Sequence, residues 1–191
     1  MAELVQQNLE SMLPELEQME RVQLLSKEEI KQLLKRRKTF EYALQRREKC
    51  AEDFLEYIQY EIALLDLIGL RRKKIGYFHK KDDIDLSIAK RINQMFKIIE
   101  RRFGPKDEKI FISHVDFLKK MNWKEQIGRT YQVMLRYHMY KPELWINAAK
   151  YEFEGEMNAD SARKIFLEAL RFNKDSKLLY KEVSFEAFLI N

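Results

Sequence analysis

Two basic runs are the residues most suited to direct chemistry with a ligand. Lys35, Arg36, Arg37 and Lys38 form the first, and Arg71, Arg72, Lys73 and Lys74 the second, which is followed by Tyr77, Phe78, His79, Lys80 and Lys81. Basic side chains neutralise phosphates and aromatic rings stack on bases, so interleaved cations and rings are a pattern that can hold RNA. The competing expectation is a solvated helix end, where cations oppose the negative end of the helix dipole. Charge clusters alone are weakly specific.

Other chemistry finds less support. His79, His114 and His138 are far apart, and none shares a helical face with another histidine or with Cys50 at metal-ligand spacing. A lone His114 reads as a packed residue. The stretch Asp82 to Ser87 suggests a calcium loop starting at Asp83. That register needs glycine at its sixth position and glutamate at its twelfth, and finds Ile88 and Gln94. The glycines stand singly at 69, 76, 104, 128 and 155, so no phosphate cradle forms from a glycine-rich loop. With no nucleophile-and-base motif either, the expectation is a protein without catalytic residues, metal or cofactor.

The elements that must position the basic runs follow from composition and periodicity. Of 191 residues, 46% are hydrophobic, with only five glycines and three prolines to make turns, which points to helices. The single cysteine excludes an internal disulfide and fits a reducing compartment. The first residues lack the basic start and apolar run of a secretory signal, and the apolar stretch around Ile62 to Leu70 falls short of a membrane span. These features predict a soluble intracellular protein with no membrane partner. The net charge of +5 permits RNA contact without requiring it.

Residues 1–49 read as amino-terminal helices: an apolar stripe from Leu4 to Met19 broken or kinked at Pro14, then a capping box at Ser26 and Glu29 opening a helix to about Arg47. A helix from Cys50 ends near Gly69, and the basic stretch 71–82 reads as a connector, with Asp83 or Asp85 capping the next helix. Hairpins follow at 107–138 and 143–172, with Pro142 near the start of the latter, and a last segment begins at Ser176.

The chain also repeats. Phe111 to Trp145 is 34 residues and Trp145 to Tyr180 is 35, while Phe54 to Phe111 is 57, one period plus the insertion at 71–82. Phe54, Tyr57, Tyr60 and Glu61 match Trp145, Ala148, Tyr151 and Glu152 in spacing, and Phe111 and Phe117 belong to a weaker copy. Second helices supply Tyr131 in one copy and Ala162, Arg163, Phe166 and Ala169 in another. Because one helical hairpin cannot bury its apolar face, such pairs are expected to stack as an all-α solenoid over 50–191: units 50–103, 107–138, 143–172 and a truncated 176–191.

This pattern, an aromatic followed by Tyr-Glu and then Ala-Arg-x-Ile-Phe and alanine, resembles the half-a-TPR (HAT) repeat, most completely at Trp145, Tyr151, Glu152, Ala162, Arg163, Ile165, Phe166 and Ala169. The stretches "LPELEQMERVQLLSKEEIKQLLKRR", "EDFLEYIQYEIALLDLI", "RRKKIGY" and "KPELWINAAKYE" further resemble the amino-terminal part of the HAT-repeat family of the small-subunit processome. The resemblance departs at Glu186, where the Tyr-to-Glu spacing becomes six, and implies that the family continues where this chain stops. It implies a non-catalytic scaffold of a nucleolar pre-ribosomal complex, acting in small-subunit ribosomal RNA maturation. The partners implied are WD-repeat propeller proteins, the small nucleolar ribonucleoprotein and the pre-ribosomal RNA. A HAT scaffold of splicing or messenger 3′-end processing, and a direct RNA-binding module, are the alternatives at this point.

Overall fold

A computed structural model describes residues 2–182. Of the truncated repeat expected at 176–191, Phe185, Glu186, Phe188, Leu189 and Ile190 lie outside the described residues. All regular structure among the described residues is helical, so the all-α, helical-repeat class expected from the sequence is the class observed. The chain divides into two compact units, Met1–Arg101 and Arg102–Asn191.

In the first unit, Pro14 splits the amino-terminal stripe into two short helices, α1 (Ala2–Ser11) and α2 (Leu13–Arg21). The proline sits in the first turn of α2, where its missing N–H costs nothing. The capping box forms as expected: the Glu29 amide donates to Ser26 Oγ at 3.3 Å and the Ser26 amide donates to Glu29 Oε2 at 2.8 Å. It opens α3 (Lys27–Leu44), which ends three residues before the expected Arg47. Val5, Leu9 and Met12 close an apolar cluster at the amino-terminal end.

The next helix departs most from expectation. α4 (Ala51–Ile75) does not stop at Gly69; it carries the whole second basic run in its last turns. An isolated glycine within a helix costs only about 1 kcal/mol, which good helix formers on both sides offset. The residue that ends α4 is Gly76, left-handed at φ 75°, whose amide caps the Arg72 carbonyl at 2.8 Å. The connector is therefore short, and α5 (Lys81–Phe103) begins earlier than expected, with Asp83 and Asp85, the two expected caps, both inside the helix.

In the second unit, α6 (Lys109–Met121) pairs with α7 (Lys124–Tyr137) and α8 (Pro142–Lys150) with α9 (Ala159–Phe172). A π turn, Tyr151–Gly155, continues α8. There a Cβ at Gly155 would stand 3.2 Å from the Tyr151 ring, so the glycine admits the close approach. Trp145 is buried and its indole N–H donates to the Met139 carbonyl at 2.9 Å.

Candidate interaction surfaces

Arg37, the third residue of the first basic run, is fully buried. Its helical neighbours Ile30, Leu33, Phe40 and Leu44 recur at three-to-four residue spacing, which puts Arg37 on the apolar face of α3. That spacing is the signal by which the sequence could have revealed its burial. Its guanidinium donates to Glu61 Oε1 at 2.7 Å and Glu61 Oε2 at 2.8 Å, and to Glu15 Oε1 at 2.6 Å. Arg91 pairs with the same two carboxylates, and the Ser87 hydroxyl donates to Glu15 Oε2 at 2.6 Å. Two cations and two anions thus close a neutral network joining α2, α3, α4 and α5. Burial alone would raise the Glu15 pKa; Arg37 and Arg91 outweigh it and hold the carboxyl below its usual range. Burial, reinforced by Glu61 and Glu41, pushes the Tyr57 hydroxyl well above its ordinary value, and its ring stacks on Phe40 with centroids 5.0 Å apart.

Arg72 is the counterpart in the second run. It is buried, and it donates to the carbonyls of Tyr77 at 3.3 Å and His79 at 2.7 Å and to Asp85 Oδ1 at 3.0 Å. The connector is folded over this guanidinium with its carbonyls turned inward. Arg71 bridges back to Glu29 and to the Leu24 carbonyl. Arg37 and Arg72 therefore cannot serve as the phosphate contacts their neighbours suggested, because both are enclosed and bonded to acceptors of the chain itself. The remaining candidates, Lys35, Arg36, Lys38, Lys73, Lys74, Lys80 and Lys81, are exposed. Arg36 lies over the Phe40 ring at 4.8 Å and Lys80 pairs with Asp83 at 2.9 Å.

The repeat signature separates in the same way. Phe54, Tyr57, Glu61, Phe111, Phe117, Tyr131, Trp145, Ala162, Phe166 and Ala169 are buried. Tyr60, Tyr151 and Glu152 are half-buried, while Arg163 and Tyr180 are exposed, with Leu179 buried beside the latter. The two glutamates at matching positions play different parts. Glu61 is locked between arginines, whereas burial, followed by the repulsion of Glu156, raises the Glu152 carboxyl above its usual range. Glu152 faces a groove of about 750 Å³ in the second unit, between α7, α8 and α9, with Tyr131, Trp145 and Phe172 among its aromatic walls and Arg136, Lys164 and Arg171 among its cations.

The histidines are dispersed. His114 is buried, His138 Nε2 lies 2.8 Å from the Gly104 carbonyl, and His79 packs edge-on against Tyr77. Among the described residues, no three His, Cys, Asp or Glu side chains are grouped to hold a metal ion, and no helix is long and apolar enough to cross a membrane.

Comparison with known proteins gives these surfaces a lineage. A model of the family described as U3 small nucleolar RNA-associated protein 6 matches residues 9–91. A human protein named U3 small nucleolar RNA-associated protein 6 homolog is 45% identical over 182 residues, 95% of this chain and 30% of its own length. The mouse homolog is 42% identical over 95% of this chain and 30% of its own length. A fission-yeast protein, the U3 small nucleolar RNA-associated protein 6 of Schizosaccharomyces pombe, is 30% identical over 94% of this chain and 37% of its own length. The chain spans about a third of the length of the curated relatives it matches. Matching the amino-terminal part of those longer proteins over nearly all of its own residues, the chain belongs to the U3 small nucleolar RNA-associated protein 6 family.

Proposed function

We propose that this chain is a non-catalytic scaffold segment of the small-subunit processome, acting in maturation of the small-subunit ribosomal RNA in the nucleolus. The observation that carries this reading is 45% identity across 95% of the chain to a protein named for its association with U3 small nucleolar RNA. The helical hairpins support it, since their signature residues Phe111, Trp145, Phe166 and Ala169 are engaged in packing. So does the Arg37 network, whose charged groups fasten helices to one another. In this reading residues 50–103, 107–138 and 143–172 are successive HAT units, and the partners are WD-repeat propeller proteins of the same particle.

Small nucleolar RNA and pre-ribosomal RNA are then reached mainly through those partners. Three of the eight basic residues in the two runs, Arg37, Arg71 and Arg72, are already held by the chain's own carboxylates or carbonyls. The test is affinity purification of the tagged chain from nuclear extract, with and without ribonuclease. Recovery of propeller-rich processome subunits that survives ribonuclease is the expected result. Recovery of splicing or 3′-end cleavage factors, or of partners lost with the RNA, overturns it.

A further inference from the structure

The carboxyl-terminal half of α4 has one buried side and one bare side. Leu64, Ile68 and Arg72 face inward, while Ala63, Leu67, Leu70 and Lys74 share an exposed face at helical spacing. Leu70 is 65% exposed and Leu67 39%, and Phe78 in the connector that follows is 54% exposed. Lys73, Lys74 and Lys81 have no ion-pair partner among the described residues, in contrast to Arg71, Arg72 and Lys80 in the same stretch. Lys81 Nζ sits 5.6 Å from the Phe78 ring centre. The Arg72 clamp on the Tyr77 and His79 carbonyls fixes the connector, so this surface is already shaped before anything binds, which lowers the ordering cost of association.

The chemistry distinguishes between partners. A single-stranded RNA site needs stacking rings and cations, and draws little from leucine and isoleucine. Here the large exposed side chains of the face are two leucines, Leu67 and Leu70, whose burial is favourable only against apolar groups. The unpaired lysines at the same end select negative charge. We propose that this face docks an acidic amphipathic helical segment of a partner protein, its apolar stripe on Ala63, Leu67 and Leu70 and its carboxylates towards Lys73 and Lys74 at the end of the helix. The proposal takes from the scaffold reading only that a protein partner exists.

The experiment places a photoreactive benzoylphenylalanine at Leu70 of the full chain in cells and sequences the crosslinked segment. That segment, synthesised and fluorescently labelled, is then titrated with the wild-type chain, with Leu70→Ser and with the double variant Lys73→Glu/Lys74→Glu, each checked for unchanged melting. A segment carrying carboxylates beside an i, i+3/i+4, i+7 apolar stripe is expected, with binding weakened about tenfold or more by each variant. Lysines in place of the segment's carboxylates should restore binding to the charge-reversed chain. Crosslinks to RNA alone, no protein crosslink, or a segment whose affinity neither variant changes overturns the proposal. If the segment comes from a protein outside pre-ribosomal particles, the docking surface stands and the scaffold reading falls. If processome subunits are recovered but no acidic segment crosslinks at Leu70, the scaffold reading stands and the docking surface falls.

Discussion

Arg37 shows how little a residue's type says about its duty. Within Lys35 to Lys38 four cations stand in a row, yet one is fully buried and bonded to two carboxylates while its neighbours face water. Arg37→Ala leaves Arg91 as the one cation paired with Glu15 and Glu61 in this network, and removing one partner of a buried pair costs about 3–5 kcal/mol. Lys35→Ala and Lys38→Ala, on the exposed side, should change stability by no more than about 0.5 kcal/mol. Urea denaturation of the three variants checks the contrast; equal midpoints would mean the network does not hold the helices. Acid addresses the same groups. Glu15 and Glu29 are both depressed below the ordinary 4.5, Glu29 to about 2 chiefly through its hydrogen bonds from Arg71. A depressed carboxylate contributes its stability in full above its unfolded value and loses it as pH falls through the folded one. The melting temperature should therefore decline as pH drops from 4.5 towards 2. Glu29→Gln keeps a capping-box side chain but gives up the ion pair with Arg71, so its decline over that window should be shallower.

Among the elements, α4 separates two glycines that look alike in sequence. Gly69 lies inside the helix, where an added Cβ would meet nothing within 4 Å, while Gly76 is left-handed at φ 75° and ends it. Gly69→Ala is expected to stabilise by about 0.5–1 kcal/mol, by removing unfolded-state freedom and improving propensity. Gly76→Ala should destabilise by about 1–2 kcal/mol, the cost of a Cβ in the left-handed region. Differential scanning calorimetry should show melting shifts of opposite sign. Sequence periodicity made the helices themselves legible: the Pro14 break, the Ser26–Glu29 box and the aromatic register at Phe54, Phe111 and Trp145 all rest on local rules. The extent of α4 was not legible, because a single glycine at either 69 or 76 is an equal stop signal until tertiary contacts choose. Arg72 makes that choice by gathering the connector's carbonyls. The π turn at Tyr151–Gly155 was hidden for a similar reason, since it depends on the approach of Gly155 to the Tyr151 ring.

Over the whole molecule, 36 basic against 31 acidic residues give +5, which only permits RNA contact, and the candidate contacts rest on the two basic clusters and the aromatics beside the second. What the sequence could not reveal is how much of the charge is engaged internally. Arg37, Arg72 and Arg91 each engage a carboxylate within the first unit, so the two densest basic runs lose their centres to the fold. A chain of this kind should bind single-stranded RNA through diffuse, salt-sensitive attraction, with log affinity falling by about 0.7 per neutralised phosphate for each unit of log salt. Reversing Lys73 and Lys74 then removes at most two such contacts, and the slope should shrink by no more than about 1.4. Fluorescence anisotropy with a labelled oligonucleotide across a salt series measures this directly. A much larger loss of slope from these two lysines would make the end of α4 an RNA site and would contradict its assignment to an acidic protein segment.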